Sequence, residues 1–247
     1  MTETSLGIPT VVLVHAAWAD ASSWNKVITP LQRHGMPVVA VQIPLTSLSD
    51  DVETLRRTLK RVSGPVVLVG HSYGGAVITA AGSGNPQVKA LVYIAAMAPD
   101  EGESVGQLLH RAARHARAPA LVPDEDAFLW MPAKGFADAV AHESSADDAL
   151  LMAAIQKPIA IKCVEEPMTK PAWKEKPSWF LLAEHDRMIA PETQRFMACR
   201  TGGHVHEAEV DHTPLASAPD QVVAIITETV DTVAQALLNP ERIGQHI

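Results

Sequence analysis

The stretch Pro65-Val66-Val67-Leu68-Val69-Gly70-His71-Ser72-Tyr73-Gly74-Gly75-Ala76-Val77-Ile78-Thr79-Ala80-Ala81 governs how this chain is read. Its first five residues, apolar and rich in valine, predict a buried strand, and the alanine-rich run after Gly74 predicts a helix. Between them a serine stands with glycines two residues before and two after it, a G-x-S-x-G pattern. A bend this sharp strains its central residue and lifts the hydroxyl clear of the sheet, while the glycines let backbone and helix close on each other. The five-residue pattern is weak by itself, because glycine and serine also mark ordinary turns. Strand before and helix after make Ser72 a candidate nucleophile.

Outward from that bend, short apolar runs alternate with segments of helical periodicity. Thr10 to His15 predicts a strand, followed by Ala21, Trp24, Val27, Ile28 and Leu31 at helical spacing. Pro37 to Ile43 repeats the strand signal. Val52, Leu55, Leu59 and Val62 then mark one face of a helix whose other face carries Arg56, Arg57 and Lys60. Val88 to Ala95, Ser178 to Ala183 and Val205 to Val210 predict further strands, and Val222, Ile225, Ile226, Val230, Val233 and Leu237 stripe a final helix. Strands this apolar, separated by helices, predict an α/β fold: a mostly parallel sheet of about six strands, flanked by helices on both faces, with right-handed crossovers.

Residues 99–176 break the rhythm. Helix-like pieces occur around Ser104 to Ala116, Lys134 to Glu143 and Ala146 to Gln156, between proline-rich connectors and with no good strand. An insertion over the carboxyl ends of a parallel sheet lies where substrates enter, so the segment is expected to be a helical cap. Residues 1–98 and 177–247 then form the core. Phe128, Leu129, Trp130, Met131, Met152 and Trp173 are more large apolar groups than a solvated loop carries. They could line a pocket or hold the cap together.

A chain of 247 residues with 47% apolar content can bury one large core. With 20 basic and 28 acidic residues, its formal charge of −8 disfavours nucleic acid or an anionic membrane surface as partner. Cys163 and Cys199 lack C-x-x-C spacing and read as reduced structural thiols. The stretch Met1-Thr2-Glu3-Thr4-Ser5 has no basic region leading into an apolar one, and no uninterrupted apolar run approaches a bilayer-spanning length. A cytoplasmic location is therefore expected.

A serine hydroxyl is a poor nucleophile at neutral pH, so Ser72 needs a base within hydrogen-bond reach and an acid to orient that base. In this arrangement they follow in the order Ser, Asp or Glu, His, at the carboxyl ends of strands. Ala183-Glu184-His185-Asp186-Arg187 follows one predicted strand and Asp211-His212-Thr213-Pro214 another, so Asp186 and His212 fall where they are needed. Glu184, Asp100 and Glu101 compete for the acid position, and Asp211 reads as a surface or turn-capping residue. His204 and His206 alternate on one strand without a second ligand pair, so no metal is expected. His71 inside the bend and His15 at the end of the first strand read as structural. Backbone donors must also face the developing oxyanion, each worth roughly 3–4 kcal/mol. The Tyr73 amide at a helix start is one candidate, and the Ala17 amide in His15-Ala16-Ala17-Trp18 is the other. Trp18 and Trp130 are candidate substrate contacts.

With those residues placed, the chain resembles the α/β-hydrolase superfamily. The likeness is to its small branch of bacterial esterases, plant methyl-ester esterases and hydroxynitrile lyases. The resemblance rests on His15-Ala16-Ala17-Trp18 with Trp24, on Gly70 to Gly75, on Asp186-Arg187-Met188-Ile189-Ala190-Pro191-Glu192, and on Asp211-His212 with Ser217-Ala218-Pro219. It implies the triad Ser72, Asp186 and His212, an oxyanion hole at Ala17 and Tyr73, and no cofactor. Only Met1 to Pro9 precede the first predicted strand, so counterparts of the family's first strands are not expected here. Two departures bear on function. Many relatives carry glycine where Ala16 stands, which narrows the oxyanion loop. The lyases that use this triad carry lysine where Thr213 stands, so cyanohydrin cleavage is not expected.

The resulting expectation is a serine hydrolase that cleaves a small carboxylic ester through an acyl-enzyme, with a homodimer possible. A small-molecule receptor on the same fold stays open as an alternative. So does a triad enzyme of another reaction type, whether lactonase, carbon–carbon hydrolase, perhydrolase or lyase.

Overall fold

The computed structural model describes residues 7–239; residues 1–6 and 240–247, the two ends of the expected core, lie outside the described residues. Eight strands occur along the described chain: β1 (Thr10–Val14), β2 (Val38–Val41), β3 (Val66–His71), β4 (Val88–Ile94), β5 (Phe128–Leu129), β6 (Ile159–Ala160), β7 (Ser178–Ala183) and β8 (His204–Ala208). Six of them form one sheet in the order β2-β1-β3-β4-β7-β8. Every pairing in that sheet is parallel.

β1 lies between β2 and β3, with Val12 opposite Val39 on one side and Leu68 on the other. The chain steps outward from β1 to β2, then crosses back to β3 and proceeds the other way. Strand order thus reverses between β1 and β3, and the crevice beyond their carboxyl ends is where an open α/β sheet takes its ligand. The loop after β1 and the bend after β3 flank that crevice.

Alternation along each strand supplies two apolar faces. Val11, Leu13, Val67 and Val69 pack on one face with Trp24, Val27, Leu31, Val222, Ile226 and Val230. Val12, Val14, Leu68, Leu91 and Tyr93 pack on the other with Leu55, Leu59, Val77 and Ile78. Helix Pro219–Leu238 is long and apolar enough to cross a bilayer, yet its stripe of Val222, Ile225, Ile226, Val230 and Val233 is buried against the sheet. β8 is an edge strand with four exposed residues, and it stops at Ala208, short of the predicted Val210. A tight turn ends it, the Val210 amide donating to the Ala208 carbonyl at 2.9 Å.

Between β4 and β7 the chain leaves the sheet, and here the sequence reading needs correction. The helix expected from Ser104 to Ala116 covers only Val105–Leu109, started by a reciprocal capping box between Ser104 and Gln107. His110 to Arg117 offers no large apolar side chain to bury, and so short a helix does not persist without tertiary support. The second piece is a short α-turn, Ala133–Gly135, continuing into a π-turn, Phe136–Val140. The third holds as Ala146–Ile155. The segment also contains strand structure, since β5 and β6 pair antiparallel. Two-residue strands are too short for periodicity to reveal.

Candidate active site

Ser72 follows β3 with φ of +51°, a left-handed conformation that costs a non-glycine residue on the order of 1–3 kcal/mol. Its backbone is held on both sides: the amide donates to Ile94 O at 3.2 Å, and the carbonyl accepts from Gly75 N and Met97 N at 3.0 Å each. The flanking glycines are required for space. A Cβ on Gly70 would stand 2.6 Å from the Gly74 carbonyl, and one on Gly74 would stand 2.5 Å from Val14 O.

His212, in the loop after β8, brings its Nε2 to 2.9 Å from Ser72 Oγ and its Nδ1 to 2.8 Å from Asp186 Oδ2. All three side chains are buried. An ionised carboxylate only accepts, so Nδ1 carries the proton and Nε2 is left to accept the serine hydroxyl. Asp186 is itself fully engaged. Its Oδ1 accepts from Met188 N at 2.7 Å and Ile189 N at 2.8 Å, and its Oδ2 also accepts from Gln194 Nε2 at 2.8 Å. Gln194 in turn accepts from Ala183 N at 3.1 Å, which ties the acid's loop back to β7. Nothing in the sequence marks Gln194, which sits mid-helix in Pro191–Thr201.

The His212 loop is clamped from both sides. His71 Nε2 donates to the His212 carbonyl at 2.7 Å, and burial pushes the His71 imidazole down to about 3, which keeps it neutral. Asp211 caps the turn through Thr213 N at 3.1 Å, but it is fully buried, where the sequence allowed a surface position. Its Oδ2 accepts from Glu143 N at 2.9 Å, while Thr213 Oγ1 donates to Val140 O at 2.8 Å. Two bonds therefore fasten the loop of His212 to the cap, at and just beyond the π-turn.

The sequence model of the alpha/beta hydrolase family matches residues 11–225. The chain belongs to the alpha/beta hydrolase family. The alpha/beta hydrolase nvfD of Aspergillus novofumigatus is 28% identical over 243 residues, covering 88% of this chain and 95% of that protein. Among solved structures, a pyrethroid hydrolase from Sphingobium faniae superposes with a TM-score of 0.78 at 18% identity, covering 92% of this chain and 99% of that one. The Arabidopsis methylesterase MES16 does so with a TM-score of 0.76 at 19% identity, covering 91% and 100%.

In this alpha/beta hydrolase the amides of Ala17 and Tyr73 make no intramolecular hydrogen bond among the described residues. Both residues line the cavity into which Ser72 opens. The loop bearing Ala17 is stiffened by His15, whose Nδ1 donates to Ala16 O at 2.9 Å and whose Nε2 accepts from Ile43 N at 3.2 Å. Burial lowers the His15 imidazole to about 4. Next to Ala17, Trp18 adopts φ of +56° and sends its indole N–H to Leu129 O on the cap at 2.9 Å.

Trp130 is a correction. It is half exposed, bonds Asp124 Oδ2 through its indole N–H at 2.9 Å, and lines neither cavity beside His212. Phe128 and Leu129 of β5 both pack against the core, whereas Trp130 comes after the strand. Of the other apolar candidates, Met152 also lines a cavity, whereas Trp173 packs into the core and donates to Pro99 O. Of the rival acids, Glu184 pairs with Arg195 and Asp100 with Lys174, while Glu101 is exposed. His204 stacks on Trp179, and His206 pairs with Glu228. Among the described residues no three His, Cys, Asp or Glu side chains gather as a metal site.

Proposed function

We propose that this protein is a serine hydrolase that cleaves a small carboxylic ester through an acyl-enzyme. The observation that carries the reading is the continuous buried relay from Ser72 Oγ through both nitrogens of His212 to Asp186. In the first half-reaction Oγ bonds to the ester carbonyl carbon as its proton passes to His212 Nε2. The carbon–alkoxy bond then breaks, and that proton leaves on the alcohol. In the second, water gives a proton to Nε2 and attacks the acyl carbon, the carbon–Oγ bond breaks, and Ser72 recovers its proton. Asp186 orients the imidazole and stabilises its charged form. The Ala17 and Tyr73 amides receive the oxyanion of each tetrahedral intermediate.

Supporting this reading are the family membership and the elbow geometry, together with esterases among the structural relatives. The test is Ser72→Ala. It should abolish p-nitrophenyl acetate turnover and fluorophosphonate labelling while leaving the thermal midpoint near that of the parent. Turnover that survives the substitution removes Ser72 from the mechanism.

A further inference from the structure

Two separate cavities meet at the catalytic histidine. The larger, about 500 Å3, is walled by Ser72, Tyr73 and mostly apolar side chains that include Met97, Val105, Ile159 and Met188, with His110 and Arg114 also in its wall. The smaller, about 200 Å3, lies between the loop after β1, the His212 loop and the cap helix Ala146–Ile155, with Leu151, Met152 and Leu215 in its wall. Ala17, Trp18 and His212 line both, so they form the partition. Trp18 is pinned there by its bond to Leu129 O. Lys26 and Asp148, half-exposed and paired at 3.0 Å, join core helix to cap helix on the wall of the smaller cavity.

The chemistry assigns one half of the substrate to each space. An acyl group stays covalently attached to Oγ, so it must occupy the cavity that Ser72 lines, and Ser72 lines only the larger. The departing oxygen must lie against His212 Nε2 to take its proton. His212 is the one triad member that reaches the smaller cavity. From this we infer that the larger cavity holds the acyl part and the smaller cavity the alcohol part, and that the preferred substrates are esters of an extended apolar acid with a small alcohol. The assignment rests on the acyl-enzyme reading above.

Two ester series separate the possibilities. With ethanol held constant and the acid lengthened from acetyl to octanoyl, kcat/KM should hold or rise. With acetate held constant and the alcohol lengthened from ethyl to octyl, it should fall at least tenfold. Met152→Trp narrows the smaller cavity and should lower the butyl-to-methyl alcohol selectivity ratio at least tenfold; Leu151→Trp, at a more exposed position of the same wall, serves if the first variant does not fold. Leu109→Trp, in the wall of the larger cavity, should instead lower the octanoyl-to-acetyl ratio. Turnover with the two preferences exchanged, or Met152→Trp acting on acid length, overturns the assignment and leaves the hydrolase reading standing. No turnover in either series, with Ser72 unlabelled by a methyl fluorophosphonate, brings down both.

Discussion

Tyr73 donates its phenol hydrogen to the Asp51 carboxylate across 2.6 Å, joining the residue after Ser72 to helix Leu48–Leu59. Asp51 is fully buried; it also accepts from Leu45 N at 2.7 Å and from the cap thiol of Cys163 at 3.6 Å. Tyr73→Phe should cost about 1–3 kcal/mol, because a buried acceptor loses its donor. Burial pushes the Asp51 carboxyl from 3.8 up to about 6, so the folded state holds this proton more tightly than the unfolded chain. The group's contribution to stability is full below pH 3.8 and is lost as pH rises through about 6. Asp51→Asn should remove that dependence, worth on the order of 3 kcal/mol across the window. Urea denaturation of parent and variant between pH 4 and 7 checks it; parallel curves would refute it.

His71 titrates in the opposite sense. Burial depresses its folded value from 6.5 to about 3, so the stability it contributes is present above pH 6.5 and lost as pH falls through about 3. His71→Leu should flatten the acid limb of the stability curve, and it should lower kcat because the His212 carbonyl loses its donor. An unchanged acid limb would place the sensitivity at other groups.

Gln194 holds the Asp186 carboxylate and lines neither cavity beside His212. Gln194→Leu leaves the Ala183 amide without its partner, a cost of about 1–3 kcal/mol, and frees Asp186 Oδ2 on one side. The expected kinetic result is a fall in kcat with little change in KM. Gln194→Glu should be worse at neutral pH, since a second carboxylate beside Asp186 favours its protonated form. Equal activity in the two variants would mean that Gln194 serves packing alone.

Gly74→Ala should prevent the elbow from closing. The new methyl carbon would lie 2.5 Å from Val14 O and 2.7 Å from His15 O, and neither backbone atom can yield without opening the β1–β3 crevice. Overpacking of this kind costs about 1–3 kcal/mol, measurable by chemical denaturation. Gly84→Ala is the control, because nothing stands within 4 Å there and the cost reduces to its positive φ.

Much of this was legible in the order of residues. Apolar runs place the inner strands, since a parallel sheet buries both faces there, whereas the edge strand β8 carries exposed His204, His206 and Glu207. Ser72, Asp186 and His212 could be picked out because each follows a predicted strand at its carboxyl end. The cap was read less well. His110 to Arg117 has helix-forming composition but nothing to bury, and Trp130, a pocket candidate by its size, lies just past β5 with its indole on Asp124. Gln194, His71 and Thr213 carried no signal as supports of the relay, for each acts through a contact with a residue distant in sequence or with backbone alone.

Local patterning therefore determined the six strands of the main sheet, the elbow and the identity of the three relay side chains, because periodicity and turn chemistry act over a few neighbouring residues. The meeting of Ser72 with His212, 140 positions apart, was settled by the parallel packing that sets β3 and the β8 loop at one edge of the sheet. So was the division of space into two cavities. A volume is bounded by the loops after β1 and β8 together with the cap, and the walls of a cavity have no representation along a single segment of chain.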